Sequence, residues 1–191
     1  MICEDRKLCF VHIPKCAGTS ITRSLGFSNT TVEHRTLSSY VARQGYDNMQ
    51  SFFKFCFVRN PWDRLVSWYY YHNHNMYKPR TKKMFRSWVN RGCPHHWNKL
   101  FHDDVNWSED SPLRLSSWLS PVGPVRFDKI FKTEEYEEAI SFLNEMLGIN
   151  IKPNLLNKSV RGDYRYYYDD ITSQKVSDLF SRDIAQFDYD F

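Results

Sequence analysis

The sequence predicts an α/β fold of three layers, with a mainly parallel central sheet and helices on both faces. Two observations carry the prediction. Short apolar runs at residues 8–13 and 54–58 alternate with segments whose apolar residues recur at helical spacing, the order that builds parallel sheets. The first run is also broken by Pro14 and Gly18 and followed at once by Thr19-Ser20-Ile21. That strand, tight loop and helix start is the geometry of a P-loop-like phosphate-binding loop, with backbone N–H groups, hydroxyls and one ammonium gathered at a helix end.

Taken in order, residues 8–13 read as a buried strand and residues 19–25 as a short helix closed by Gly26. Residues 30–33 read as a second strand, and Leu37 to about Gln44 as a helix. Lys54-Phe-Cys-Phe-Val58 is apolar enough for a central strand covered on both faces. Asn60-Pro61 opens a helix, a capping residue followed by proline at the first helical position. Trp62, Leu65, Val66 and Tyr69 then mark its buried face. Residues 72–110 are the least regular stretch. Residues 127–131 suit another strand. Thr133 is placed to cap a helix with Glu134 and Glu135 in its first turn, Tyr136, Ala139, Ile140, Leu143 and Leu147 along one side, and Gly148 at its end. A last helix over about 172–187 would bury Val176, Leu179, Phe180, Ile184 and Phe187.

Bulk properties narrow the function classes. A chain of 191 residues, 41% apolar and 17% aromatic, suits one globular domain over 1–191 with a substantial core. A formal charge of +4 fits an anionic ligand but not the dense basic stripe of a nucleic-acid binder. The five cysteines form no even framework, and Cys9 and Cys56 fall inside strands, where a thiol acts as a small hydrophobe. A reducing compartment is expected. With no apolar stretch near the ~20 residues a bilayer span needs, and a charged Met-Ile-Cys-Glu-Asp-Arg-Lys start, the expectation is a soluble, cytoplasmic protein.

The first loop is not that of the nucleotide triphosphatases, which place lysine directly after the second glycine; here Lys15 precedes Gly18. A second constellation is Phe57-Val-Arg-Asn-Pro-Trp-Asp-Arg-Leu-Val-Ser67. Arg59 ends a buried strand just before a helix, where a guanidinium can grip a phosphate with two donors. Ser67 lies two turns on, off the apolar face.

His12-Ile-Pro-Lys-Cys-Ala-Gly-Thr-Ser20 and Arg59-Asn-Pro-Trp-Asp-Arg-Leu-Val-Ser67 together resemble the 5′-phosphosulfate loop and 3′-phosphate motif of the PAPS-dependent sulfotransferases. PAPS is 3′-phosphoadenosine 5′-phosphosulfate. The branch most resembled holds the carbohydrate and glycosaminoglycan O-sulfotransferases, in a short, bacterial-type form. His34-Arg-Thr-Leu37 looks like the His-x-Thr segment after the second strand of bacterial members. Trp118-Leu-Ser, Phe127-Asp-Lys-Ile, Asn157-Lys-Ser, Arg161-Gly-Asp-Tyr164 and the last nine residues extend the likeness over nearly the whole chain.

The resemblance implies transfer of a sulfuryl group from PAPS to a hydroxyl, leaving 3′-phosphoadenosine 5′-phosphate (PAP). It implies that Lys15 meets the 5′-phosphate and bridging oxygen, with Cys16, Ala17, Gly18, Thr19 and Ser20 holding that phosphate. Arg59 and Ser67 would hold the 3′-phosphate, joined by Arg161 and Gly162. His34 is the expected base, with Glu33 as fallback, although strand alternation turns Glu33 to the other side. His12, inside the strand, reads as a core histidine with its hydrogen bonds met. The chemistry requires no metal, and Cys93-Pro-His95-His96 fits no usual zinc spacing. A saccharide acceptor would lie near residues 72–110 and Trp118, where Lys78, Arg80, Lys82 and Lys83 accompany Trp88, Trp97, Phe101 and Trp107. Two rivals are a P-loop-type kinase, which lacks its Gly-Lys-Ser/Thr here, and a nucleotide-binding scaffold without turnover.

Overall fold

The computed structural model describes residues 1–27, 34–72, 81–94, 113–152 and 162–191. Among them, in chain order, lie β1 (Ile2–Cys3), β2 (Leu8–Val11), α1 (Gly18–Ser24), α2 (Leu37–Gln44), α3 (Tyr46–Gln50), β3 (Phe53–Val58), α4 (Pro61–His72), α5 (Lys82–Asn90), α6 (Ser116–Leu119), β4 (Lys129–Lys132), α7 (Tyr136–Leu147), α8 (Asp170–Leu179) and α9 (Ser181–Phe187). The chain forms two compact units, Met1–Arg59 with Lys99–Lys158, and Asn60–Asn98 with Ser159–Phe191.

The first unit holds the sheet, in the order β1-β2-β3-β4. β1 runs antiparallel to β2, while β2, β3 and β4 are mutually parallel, with Val11 opposite Cys56 and Val58 opposite Lys132. All of β2 and residues 54–58 of β3 are buried. Because neighbouring side chains point to opposite faces, this burial means both faces are covered, as the apolar runs predict. Phe10 stacks on Phe55 at 5.1 Å between centroids, and Phe57 meets Phe131 at the same spacing. Aromatic pairs thus tie the three parallel strands together, each adding about 0.5–1.5 kcal/mol beyond its area. Cys9 and Cys56 are fully buried in this core, and burial pushes the Cys9 thiol up to about 11.

β4 begins two residues later than the sequence suggests, because Asp128 is diverted to a different task. Its amide donates to Lys54 O (2.8 Å), and its carboxylate accepts from Lys54 N (2.7 Å) and pairs with Lys54 Nζ (2.9 Å). Lys54 is only 4% exposed; its ammonium also donates to Met49 O and Phe52 O. Asp128→Ala strips this buried cation of its counter-charge and is expected to cost about 3 kcal/mol. Urea denaturation checks this, and a loss below about 0.5 kcal/mol, the level of an exposed pair, would mean the two carbonyls suffice.

The helices of this unit follow local chemistry. α1 gives way to Gly26, whose φ of +65° a side chain would resist. Thr36 caps α2, its Oγ1 accepting from Ser39 N at 3.3 Å. In α7, Tyr136, Ala139, Ile140 and Leu143 are buried, and Gly148 ends the helix in the left-handed conformation. Thr133 does not cap it. Residues 133–135 form a 3-10 turn, and the Thr133 hydroxyl donates to Glu134 Oε2 instead. α3 and α6 are short additions that no periodicity signalled. The strand expected at residues 30–33 lies outside the described residues.

In the second unit, α4 starts where the sequence places it. Asn60 Oδ1 accepts from Trp62 N (3.0 Å) and Asp63 N (3.4 Å). α5 was not anticipated; Thr81 caps it through Met84 N, and Phe85, Trp88 and Val89 are buried. The single C-terminal helix is two helices. α8 opens with a capping box between Asp169 and Thr172, and the chain breaks at Phe180 before α9. Val176 and Phe180 are buried, Leu179, Ile184 and Phe187 only partly, and Asp183 is the buried residue of α9. Among the described residues no helix is long and apolar enough to cross a membrane.

Candidate functional site

β2 ends at Val11, and the loop that follows is wound by its own backbone. Ile13 N donates to Val11 O (3.1 Å) and Cys16 N to Ile13 O (3.3 Å); Ser20 N and Ile21 N both reach Ala17 O to start α1. Lys15 (φ 65°) and Ala17 (φ 56°) both adopt the left-handed conformation. For residues with a Cβ each costs about 1–2 kcal/mol, and such strain concentrates at ligand sites. Burial alternates along the loop. Lys15, Ala17 and Thr19 are partly exposed, whereas Cys16, Gly18 and Ser20 are buried. Cys16 Sγ donates to Pro14 O at 3.6 Å. The exposed members are thus an ammonium, a backbone turn and a hydroxyl, an assembly suited to a phosphate.

Gly18 is glycine because of His12. A Cβ built there would lie 1.7 Å from His12 Cδ2 and Nε2 and 2.5 Å from Cε1. The imidazole itself is 3% exposed, so it has no room to retreat. On its other sides it stacks on Phe10 (5.7 Å, 16°) and meets the ring of His34 (4.4 Å, 55°). The sequence reading of His12 as a core residue is right about burial and wrong about satisfaction. Its Nδ1 has no hydrogen-bond partner among the described residues, a deficit worth about 1–3 kcal/mol.

Burial holds the His12 imidazole well below its ordinary pKa, with like charge from His34 and Lys15 adding to the effect. The unfolded chain therefore binds a proton that the folded one refuses. Below about pH 6.5 stability should fall with pH by up to about 1.4 kcal/mol per unit, and above that it should be fully present. Urea unfolding between pH 7.5 and 5.5 checks the slope; His12→Leu should flatten it, and an unchanged slope would place its source elsewhere.

His34 is partly buried, and its Nδ1 lies 2.9 Å from His12 O. A carbonyl only accepts, so Nδ1 carries the hydrogen and the lone pair of the neutral ring sits on Nε2. That is the tautomer a general base needs when a backbone carbonyl orients it.

Arg59 follows β3 directly. Since β2 and β3 are adjacent and parallel, their carboxyl ends open on one edge, where ligands of α/β sheets bind. There Arg59 Nη1 donates to Lys15 O at 3.2 Å. Two residues 44 apart in sequence, each singled out as a phosphate ligand, are joined.

Ser67 lies on α4 in the second unit, partly buried, and Gly162 is exposed. Glu33 and Arg161 lie outside the described residues, as do residues 73–80 and 95–112 of the expected acceptor region, including His95 and His96. Trp118, expected beside a sugar, is completely buried in the first unit. Its ring is part of the core, and no face is left for stacking. His12 is the neighbour of both Gly18 and His34 that sequence reasoning missed; a strand-end histidine six residues before a glycine shows no contact until the loop is folded.

The sequence profile of the sulfotransferase family matches residues 1–190. No curated protein sequence matches the chain. Among solved structures, the crystal structure of mouse sulfotransferase SULT7A1 complexed with PAP is similar, with a TM-score of 0.50 and 15% identity over 96% of this chain and 86% of that one. At that identity the likeness concerns the fold.

Proposed function

The chain belongs to the sulfotransferase family, and from that premise we propose that it moves the sulfuryl group of PAPS to a hydroxyl acceptor by in-line displacement. The Lys15 loop takes the 5′-phosphate, and Arg59 with Ser67, Arg161 and Gly162 takes the 3′-phosphate. We read residues 1–191 as a single sulfotransferase domain. The observation that carries the reading is the hydrogen bond from the Arg59 guanidinium to the main-chain carbonyl of Lys15, which ties the proposed 3′-phosphate ligand to the proposed 5′-phosphate loop. Further support comes from the loop geometry and from the PAP bound by the mouse relative.

The residues suit the chemistry. As the acceptor oxygen bonds to sulfur and the S–O bond to the 5′-phosphate breaks, negative charge grows on the departing nucleotide. Lys15 offsets that charge, and His34 Nε2 takes the hydroxyl proton. Because transfer at a loose centre depends on placement and charge more than on covalent help, no metal is needed. The acceptor is proposed to be a carbohydrate, on the branch resemblance, and the protein to work in the cytoplasm.

Incubation with sulfur-labelled PAPS, without divalent metal, against saccharides, phenols and tyrosyl peptides tests this. Labelled saccharide with release of PAP is expected. Label on phenol or tyrosine alone would replace the acceptor class, and no transfer alongside tight PAP binding would make the protein a scaffold.

A further inference from the structure

Resting on the proposed sulfuryl transfer, we propose that His12 is a positioning residue: its imidazole, wedged between Gly18 and His34, fixes the spacing between the phosphate loop and the base. Three contacts define the wedge. The ring occupies the space a Gly18 side chain would need, lies 4.4 Å from the His34 ring and stacks on Phe10. The main chain of the same residue accepts the His34 Nδ1 hydrogen bond at 2.9 Å. One residue therefore touches the loop with its ring and the base with both ring and carbonyl.

Stability does not account for an imidazole here. Its Nδ1 is buried without a partner among the described residues, and an apolar side chain would fill the site at lower cost. Shape does account for it. Imidazole is the smallest aromatic ring available, flat enough to fit between Phe10 and the Gly18 backbone; phenylalanine would carry a further ring atom into that space. His34 must meet a hydroxyl oxygen at the sulfur, and a shift of about 1 Å in such a group can cost about 100-fold in rate. Gly18 and His12 are then one device, in which the missing side chain makes room for the ring that sets the base.

The test combines His12→Ala, Gly18→Ala and the double variant. Calorimetry with PAP, steady-state turnover with PAPS, and 15N NMR of the His34 imidazole provide the readouts. Gly18→Ala alone should lose about tenfold or more in PAP affinity, because methyl and ring cannot share the space. Adding His12→Ala should restore affinity to within about threefold of wild type, a coupling that independent sites would not show. In both His12→Ala proteins kcat should stay down by about tenfold or more while the KM for PAPS changes little. His34 should give the Nδ1–H signature in wild type; in His12→Ala the carbonyl remains but the ring that packs His34 against it is gone, so a share of the Nε2–H tautomer should appear. His12→Asn, planar but smaller, should recover part of kcat, and it stands in should the alanine variant not fold.

A double variant no better than Gly18→Ala, or a His12→Ala protein with wild-type kcat and an unaltered His34 signature, overturns the inference. Absence of turnover in the wild type would overturn the proposed function instead; the PAP rescue and the NMR signature would still decide the role of His12.

Discussion

Arg59→Ala is expected to weaken PAP binding by about 2–5 kcal/mol, roughly 30- to 4,000-fold. Two effects combine. The guanidinium is the proposed partner of the 3′-phosphate, and its loss leaves that dianion without its fork of donors. The same group donates to Lys15 O at 3.2 Å, so its removal also releases the loop proposed to hold the 5′-phosphate. Both ends of the nucleotide suffer from one truncation. Arg59→Lys keeps the charge but cannot serve phosphate and carbonyl together in a fixed plane, and it should fall between the two. Arg59 is partly exposed at a strand end, so the fold itself should lose little. Calorimetric titration with PAP, alongside thermal unfolding, reads both quantities. Unchanged affinity would move the 3′-phosphate away from Arg59.

The second large effect is on rate. His34→Ala should lower kcat by about 10²–10⁴-fold while leaving PAP affinity within about twofold. The split follows from geometry: His34 is oriented by the His12 carbonyl, not by a residue assigned to phosphate binding. The lone pair on Nε2 takes a proton only as the acceptor oxygen attacks, so the ring contributes to the transition state and not to ground-state nucleotide binding. Single-turnover rates with saturating PAPS, set beside PAP calorimetry, separate the two. Equal losses in rate and affinity would make His34 a support for the loop.

The loop after β2 and the start of α4 were legible because their signals are local. The break from apolar strand to Pro14 and Gly18 locates the loop, and Asn60-Pro61 locates α4 to the residue. The central β3 could be read from its unbroken apolar run for the same reason. What was not legible depends on contacts far apart in sequence. β4 starts late because Asp128 is bound to Lys54, 74 residues away, and nothing near residue 128 announces it. The C-terminal helix looked continuous by period, yet it turns at Phe180, and α9 buries Asp183 where Ile184 and Phe187 were expected. α5 does carry the i, i+3, i+4 spacing at Phe85, Trp88 and Val89, but it is short and set among polar, His-rich flanks that carry no helical period. On the acceptor side, aromatic residues misled: Trp118 looked like a sugar platform and is core, since composition cannot tell a buried ring from a stacking one.

The most direct test of the central claim is a crystal structure of the protein grown with PAP. It should show the 5′-phosphate in the loop from Lys15 to Ser20 and the 3′-phosphate on the guanidinium of Arg59, with the adenosine spanning between them. A nucleotide bound elsewhere, or reaching one of the two side chains and not the other, would contradict it.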